Sequence, residues 1–553
     1  MSGTERIDVL VVGAGFAGMA ALAQLLREGR SVVAVERGSD VGGTWYWNRY
    51  PGLRCDVESL DYSYSWDEEL QQEWTWTERY ATQPEILAYA KHAADRYDLR
   101  RDIRFDTSVT ALRFDAQHDA WTATLSDGGT VVARWVVLAT GALSTPKRID
   151  IPGVDSFRGE SYHTAEWPTE PVSFTGKRVA VIGTGSSGIQ VATEIAKEAE
   201  HLYVLQRTPS YSVPSFNRPL RADEIADTKS RYPSIRAQAR TTPDGLIAPQ
   251  TGRNALDVPA DERARILEEV YATGRPFTYF GIFNDVLVDE AANRQVHDFL
   301  ADKIRSRVDD PVVAEKLIPS GAPFGTRRTC VDGGYYEIFN QPNVSLVSLR
   351  ETPIRGIVPE GVETDEALIE LDAIVYATGY DAFTGTPTAI DIAGADGRSL
   401  KDAWEHGAHA YLGLMVAGFP NLFLVTGPQS PAVLSNMFVS IEQHVEWIVR
   451  AIRDAAADGV TRMEADPRAE REWLDHAAQV ADSTVYRDAS SWYVGANVPG
   501  KPRIVLPYLG GVGAFREQCT RIADEGYAGF VRQASALSRG GLDPVPRSAA
   551  GGF

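Results

Sequence analysis

Cysteine is scarce: three thiols, Cys55, Cys330 and Cys519, are spread over 553 residues. None belongs to a Cys-x-x-Cys pair, so the chain offers no disulfide framework, zinc pair or redox dithiol, and it suits a reducing cytoplasm. No His-Glu-x-x-His helix, Cys/His cluster or Gly-x-Ser-x-Gly elbow occurs, so metal and serine chemistry have no support and no metal ligand is expected. Positive charge is also short, with 55 Lys+Arg against 75 Asp+Glu and a net charge of −20. Such a surface repels phosphate backbones and anionic lipids, so neither nucleic acid nor a membrane is expected as a main partner. The uncharged stretch Val9–Leu26 reaches only the lower limit of a membrane span. Gly13, Gly15, Gly18 and Gln24 lie within it, and Arg6 is the one basic residue ahead of it, which is no signal-peptide pattern. It reads as a buried strand turning into a helix.

What is present is globular: 44% hydrophobic and 24% charged residues, in a chain long enough for three or four domains at ~100–200 residues each. Ile7–Val12 is a β-branched run suited to a central parallel strand. It leads into Gly13-Ala-Gly15-Phe-Ala-Gly18, an Ala/Leu-rich helix to Arg27, and a strand Ser31–Val35 that ends in Glu36. In this setting Gly13 permits the tight turn, Gly15 lets backbone approach a pyrophosphate, and Gly18 lets the helix pack on the sheet. The helix N-terminus faces the phosphates, and Glu36 can bind a ribose 2′-hydroxyl.

The pattern recurs. Lys177–Ile182 leads to Gly183-Thr184-Gly185-Ser186-Ser187-Gly188, a helix expected through Glu198, and a strand Leu202–Leu205. This strand ends in Gln206-Arg207-Thr208, with no acid. Arg207 can pair with a 2′-phosphate that a carboxylate would repel. The first site therefore suits FAD and the second NADPH. Trp135–Gly141 and Ala373–Gly379 both end in Ala-Thr-Gly and are expected to return to the two sheets and bring a glycine near each nucleotide.

Two further motifs lie between and before the cradles. Phe157-Arg-Gly159-Glu-Ser-Tyr-His163-Thr-Ala-Glu-Trp167-Pro168 fits F-x-G-x-x-x-H-x-x-x-W-P, and Gly43-Thr44-Trp45 through Tyr50-Pro51-Gly52 to Asp56 fits G-x-W-x-x-x-x-Y-P-G-x-x-x-D. Together they resemble the type I Baeyer–Villiger monooxygenases, from about residue 5 to about residue 533. The likeness to the phenylacetone and steroid monooxygenase branch runs through Trp45–Pro51, Pro323–Gly325 with Arg327-Arg328, and Ser491–Pro502.

The resemblance implies an α/β fold of two Rossmann-like dinucleotide-binding domains, of the three-layer ββα flavoprotein type, with a helical insertion. The expected partition is FAD domain 1–150 and 384–533, NADPH domain 151–219 and 323–383, helical insertion 220–322, and a disordered tail 534–553. The residues allow this: Val296, Phe299, Leu300 and Ile304 fall at helical spacing, and Pro259 and Gly274 bracket another helix.

The implied reaction uses NADPH to reduce FAD, adds O₂ at flavin C4a, and inserts one oxygen atom next to a ketone carbonyl to give an ester or lactone. Sulfide oxidation would be a side activity. Arg328 falls at the catalytic arginine, where a fixed cation would stabilise negative charge on oxygen. Asp56 matches the acid that holds it, with a helix-capping role as the alternative. Arg327 resembles a second contact to the 2′-phosphate, at a place where close relatives carry Lys. Gly43, Thr44 and Trp45 fall with the flavin contacts and Thr208 with those of NADPH. Gly427–Met437 and Trp492 correspond to segments lining the substrate side, with Leu434 and Met437 against the ketone and Trp492 also beside the cofactor. Phe157, Gly159, His163, Trp167 and Pro168 would lie at the linker and couple NADPH binding to domain motion.

Three alternatives weigh less. A flavin monooxygenase of amines or sulfides is disfavoured by the Trp167-Pro168 ending and the context of Arg328. A disulfide reductase needs the missing Cys pair. A non-catalytic NADP(H) sensor needs no arginine–aspartate pair.

Overall fold

The computed structural model describes residues 5–147 and 149–534. An apolar run without alternation is buried on both faces only between parallel neighbours. Glu5–Val12 has them: Val9 pairs with Val32 on one side and with Trp135 on the other, and Val9, Leu10 and Val11 have no exposed surface. The first sheet runs in the order Asp391–Ala393, Val109–Asp115, Ala120–Leu125, Thr130–Leu138, Glu5–Val12, Val32–Val35 and Ile103–Arg104. Thr130–Leu138 serves two layers. Residues 130–133 pair antiparallel with Ala120–Leu125, while residues 136–138 pair parallel with Leu422–Leu424. The stretch Val9–Leu26 becomes this central strand and the helix Phe16–Arg27, which packs on the long helix Met437–Ala457. Among the described residues no helix is long and apolar enough to cross a membrane.

The second sheet repeats the plan and is wholly parallel, in the order Val344–Ser348, His201–Gln206, Arg178–Ile182, Ala373–Tyr376 and Glu160–His163. A three-stranded antiparallel piece, Ile354–Val358, Gly361–Thr364 and Leu368–Glu370, precedes its return strand, as Val109–Asp115 and Ala120–Leu125 precede Thr130–Leu138 in the first. Glu160–His163, from the motif expected at the linker, is the edge strand of this sheet. His163 pairs in register with Tyr376.

Between the strands of the second sheet lie six helices among the described residues of 220–322, including Ala260–Thr273 and Glu290–Arg307. Pro259 is the N-cap of the first and Gly274, at φ 65°, its C-cap. Val296, Leu300 and Ile304 are buried along the second. The cradle helix expected through Glu198 is Ser186–Ile195 and closes in a tight turn, with Glu198 N–H donating to the Ile195 carbonyl. The Glu198 carboxylate also accepts from the Phe174 N–H at 3.0 Å, which draws the chain away from the helix axis. Of the expected tail, Ala534 ends the strand Phe530–Ala534 and residues 535–553 lie outside the described residues.

Candidate active site

In both cradles the first and third glycines leave no room for a Cβ. Gly13 turns at φ 104°, and a Cβ there would lie 2.7 Å from the Ala139 carbonyl oxygen. At Gly18 the Cβ would meet the Gly13 carbonyl oxygen at 1.8 Å. The second cradle repeats this, with Gly183 against Ala377 at 2.4 Å and Gly188 against Gly183 at 2.0 Å. The return strands thus touch the cradles through the alanines of Ala-Thr-Gly, two residues before the glycines Gly141 and Gly379. Gly185 differs: a Cβ there meets nothing within 4 Å, so the space is open to a ligand.

Neither cradle helix has a side-chain cap, so their first amides point at that space without a side-chain acceptor, as anion binding requires. Glu36 is 6% exposed, accepting from Ala14 N–H and Gly38 N–H, both at 2.8 Å. Gly43, at φ 53°, faces Gly15 so closely that a Cβ would fall 2.8 Å from its Cα. Thr44 begins the short helix Thr44–Trp47, and the Trp45 indole donates to the Tyr62 hydroxyl at 3.2 Å. These features fit a dinucleotide in each cradle.

The second cradle ends in a crowd of cations. Arg207 is exposed at the strand end. Arg327 is pushed below its ordinary pKa by burial and by the charges of Arg350 and Arg207. Among the described residues no ion pair involves Arg207, Arg327 or Arg350. Lys147 is likewise lowered, by burial and then by Arg207. The Thr184 hydroxyl donates to the Thr208 carbonyl at 2.9 Å, Ser186 Oγ lies 3.1 Å from the Cys330 thiol, and Ser187 lies beside Tyr50. The three cysteines are buried free thiols.

The third cluster centres on Arg328. Its Nε and Nη2 donate to the two Asp56 carboxylate oxygens at 2.6 and 2.7 Å, and Nη1 donates to the Val433 carbonyl. Phe277 covers one face, 4.9 Å from guanidinium carbon to ring centroid. Burial alone would lower the arginine's pKa, but the Asp56 charge and hydrogen bonds outweigh it and raise it further. The two side chains stay 20% and 18% exposed, so they face a cleft while seated deep in the fold. No helix starts at Asp56, and the pairing role is the one it fills. Beside it runs a crevice of about 20 Å³, room for about one water, lined by Asp56, Val57, Glu58, Asp61, Leu246 and Phe277.

Other expected residues stand further off or act as framework. Leu434 and Met437 flank the stretch that presents the Val433 carbonyl, and the Met437 sulfur accepts from Val433 N–H at 3.2 Å. Trp492 packs on Tyr493 with ring centroids 4.4 Å apart. His163 Nδ1 accepts from Ala165 N–H, its Nε2 lies 3.2 Å from Thr378 Oγ1, and burial lowers its pKa. Trp167 packs on Tyr162 and Phe174. Phe157 joins the core around Ile374, and Gly159 sits where a Cβ would reach the Asp372 carbonyl at 2.5 Å. Pro168 follows Trp167 at the start of the next loop.

Sequence reasoning missed Phe277, and it named the stretches Gly427–Met437 and Ser491–Pro502 without singling out Val433 or Tyr493 within them. Phe277 lies in a helical region without a motif, and Val433 acts through its backbone. Tyr493 is next to the singled-out Trp492 in the 3₁₀ turn Trp492–Val494 and is 2% exposed; burial raises its pKa and the nearby positive charge of Arg328 works against that rise.

Residues 6–218 match the flavin-binding monooxygenase-like family. The chain is 41% identical over 530 residues to the acetone monooxygenase (methyl acetate-forming) of Gordonia sp. (strain TY-5), covering 96% of this chain and 99% of that one. It is 40% identical over 536 residues to the 2-oxo-Delta(3)-4,5,5-trimethylcyclopentenylacetyl-CoA monooxygenase of Pseudomonas putida, with 95% and 98% covered. An oxidized steroid monooxygenase bound to NADP superposes with a TM-score of 0.92 at 46% identity, over 96% of this chain and 100% of that one.

Proposed function

The chain belongs to the flavin-binding Baeyer–Villiger monooxygenases, and from that premise we propose how its own residues carry the reaction. It is an FAD- and NADPH-dependent monooxygenase that converts a ketone, O₂, NADPH and a proton into an ester or lactone, NADP⁺ and water. The observation that carries the assignment of roles is the Arg328 clamp, a cation fixed on three of its donors and still open to a cleft.

FAD, when bound, supplies the oxygen-activating chemistry. Gly13, Gly15, Gly18 and Glu36 hold it with Gly43, Thr44 and Trp45. Gly183–Gly188 hold the pyrophosphate of NADPH, and Arg207, Thr208 and Arg327 hold its 2′-phosphate. Arg328 stabilises the negative charge that develops on oxygen during transfer, and a preorganised donor of this kind typically contributes ~3–4 kcal/mol. Asp56 orients the guanidinium and offsets its desolvation. Phe277 shields it from water. Leu434 and Met437 border the ketone, and Trp492 borders the cofactors.

On this reading residues 1–150 and 384–533 hold the flavin, 151–219 and 323–383 hold NADPH, and the helices of 220–322 close over the cleft. The free thiols support a cytoplasmic enzyme.

The test mixes the purified yellow protein with NADPH, O₂ and linear, cyclic, aryl and steroidal ketones, and reads products by mass. Ester or lactone from at least one ketone is expected. NADPH oxidation without either product from any ketone overturns the ketone assignment, and turnover confined to amines or sulfides replaces it. Arg328→Ala should abolish oxygen insertion while flavin reduction by NADPH persists.

A further inference from the structure

The reaction consumes one proton for each ketone oxidised. One atom of O₂ enters the ketone, and the other leaves as water with the hydride of NADPH and that proton. Phe277 covers one face of the Arg328 guanidinium, so bulk water does not bring the proton from that side.

The crevice beside Asp56 offers a route. Three carboxylates line it, and two of them are engaged: Asp56 by Arg328, and Glu58 by Arg79 and Arg275. Among the described residues no hydrogen bond or ion pair engages the third, the Asp61 carboxylate. The residue is held by its backbone, whose carbonyl accepts from Arg236 Nη1 and Asn436 Nδ2, both at 2.8 Å. Asp61 is thus fixed in place with a carboxylate free to exchange a proton. Thr278, 1% exposed, lines the same crevice with a hydroxyl that has no partner. The volume of about 20 Å³ seats one water, and such a water needs two to four polar partners. Asp56, Asp61 and Thr278 can supply them.

We propose that Asp61 relays a proton, through one water in this crevice, to the oxygen that leaves beside Arg328. The proposal rests on the ketone-oxidising reading given above. The carboxyl O–H breaks as its proton joins the water, and a proton of that water passes to the leaving oxygen. The carboxylate then recovers a proton from solvent, and no electron moves on the protein. The surrounding charges suit this part. Burial raises the pKa of Asp61, Arg236 works against the rise, Glu58 adds to it and Arg275 opposes it, leaving it above the ordinary carboxylate value. Asp244 and Tyr232 also face it, and the Asp244 carbonyl accepts from the Asn436 N–H at 2.8 Å. A raised carboxyl lies nearer the working pH, where proton transfer is most effective.

Asp61→Asn keeps the size and removes the exchangeable proton. Ester formation is expected to fall about 100-fold, the low end of what a positioned proton donor contributes. Its solvent deuterium isotope effect should rise, and the parent's decline with rising pH should vanish. Flavin content, melting temperature and anaerobic flavin reduction by NADPH should hold. Formate should restore part of the rate to Asp61→Ala, and Asp244→Asn should keep the parent's rate and isotope effect. In the oxidised enzyme without NADPH, a pH jump should show a carboxyl infrared band that Asp61→Asn lacks. Unchanged turnover or isotope effect in Asp61→Asn overturns the proposal. So does loss of flavin and melting temperature in step with activity, an equal fall in Asp244→Asn, no rescue by formate, or no band from Asp61. A parent that makes no ester from any ketone instead sinks the ketone reading, while the infrared band still reports whether Asp61 exchanges a proton.

Discussion

The Tyr50 hydroxyl donates to Gln190 Oε1 at 2.9 Å, joining two residues 140 apart in sequence. Tyr50 belongs to the Tyr-Pro-Gly stretch after the first cradle, and Gln190 to the helix of the second. Two residues on, Gly52 turns at φ 80° with its α-carbon so close that a Cβ would stand 2.8 Å from the Gln190 carbonyl oxygen. The motif is therefore a docking piece between the two cradles.

Gly52→Ala should loosen that joint. The left-handed backbone alone costs about 1–2 kcal/mol for an L-residue, before the clash with Gln190. A lower melting temperature and slower flavin reduction by bound NADPH are expected, measured by rapid mixing. Tyr50→Phe removes only the hydrogen bond, about 1 kcal/mol, and should move both readouts less. Equal reduction rates in all three proteins would show that the contact does not serve hydride delivery.

Two glycines of the second cradle should separate folding from binding. Gly188→Ala drives a Cβ to 2.0 Å from the Gly183 carbonyl, so the protein should lose stability and NADPH binding together. Gly185→Ala meets only open space, so the melting temperature should be unchanged while NADPH affinity falls. Calorimetric titration with NADP⁺ beside thermal melting checks both. A Gly185→Ala protein that binds normally would mean the pyrophosphate does not approach that Cα.

The cradles were legible in the sequence because strand, turn and helix requirements act over a few residues. Gly13, Gly18, Gly183 and Gly188 are fixed by contacts within their own loops or with one return strand. Arg328 and Asp56 are 272 positions apart, and only the family resemblance joined them. Val433 fell within the named segment Gly427–Met437, but its own role was not legible because it contributes a carbonyl, and any residue has one. Its φ of 61° puts a β-branched side chain in the left-handed region, a strained position that composition does not show. His163 was read at a linker, and the edge-strand pairing to Tyr376 depends on long-range register that local pattern does not specify.

The unpaired cations at the second cradle predict opposite effects with and without ligand. Arg207→Ala should weaken NADPH by roughly 10- to 100-fold, a charged hydrogen bond's worth, and leave NADH almost unaffected. In the ligand-free protein the same change removes repulsion from Arg327 and Lys147 and should not lower the melting temperature. Steady-state KM for both nucleotides and melting with and without NADP⁺ decide it. Equal losses for NADPH and NADH would place the 2′-phosphate elsewhere.

Asp244 gives a pH dependence with a definite sign. Its carboxylate accepts from the Leu246 N–H at 3.1 Å, but burial pushes its pKa from 3.8 to about 6. The folded protein therefore holds this proton more tightly than the unfolded chain does. Stability from this group is fullest below pH 3.8, falls as pH rises through the interval up to about 6, and then levels off. The loss above that interval is about 3 kcal/mol at 1.36 kcal/mol per unit. Asp244→Asn keeps an acceptor for Leu246 and removes the charge, so it should raise the melting temperature at pH 7.5. At pH 5, where the folded carboxyl is still mostly protonated and the unfolded one is not, the gain should be about half as large. Melting of both proteins at the two pH values checks this, and a variant less stable than the parent at pH 7.5 would show that the ionised carboxylate is needed where it sits.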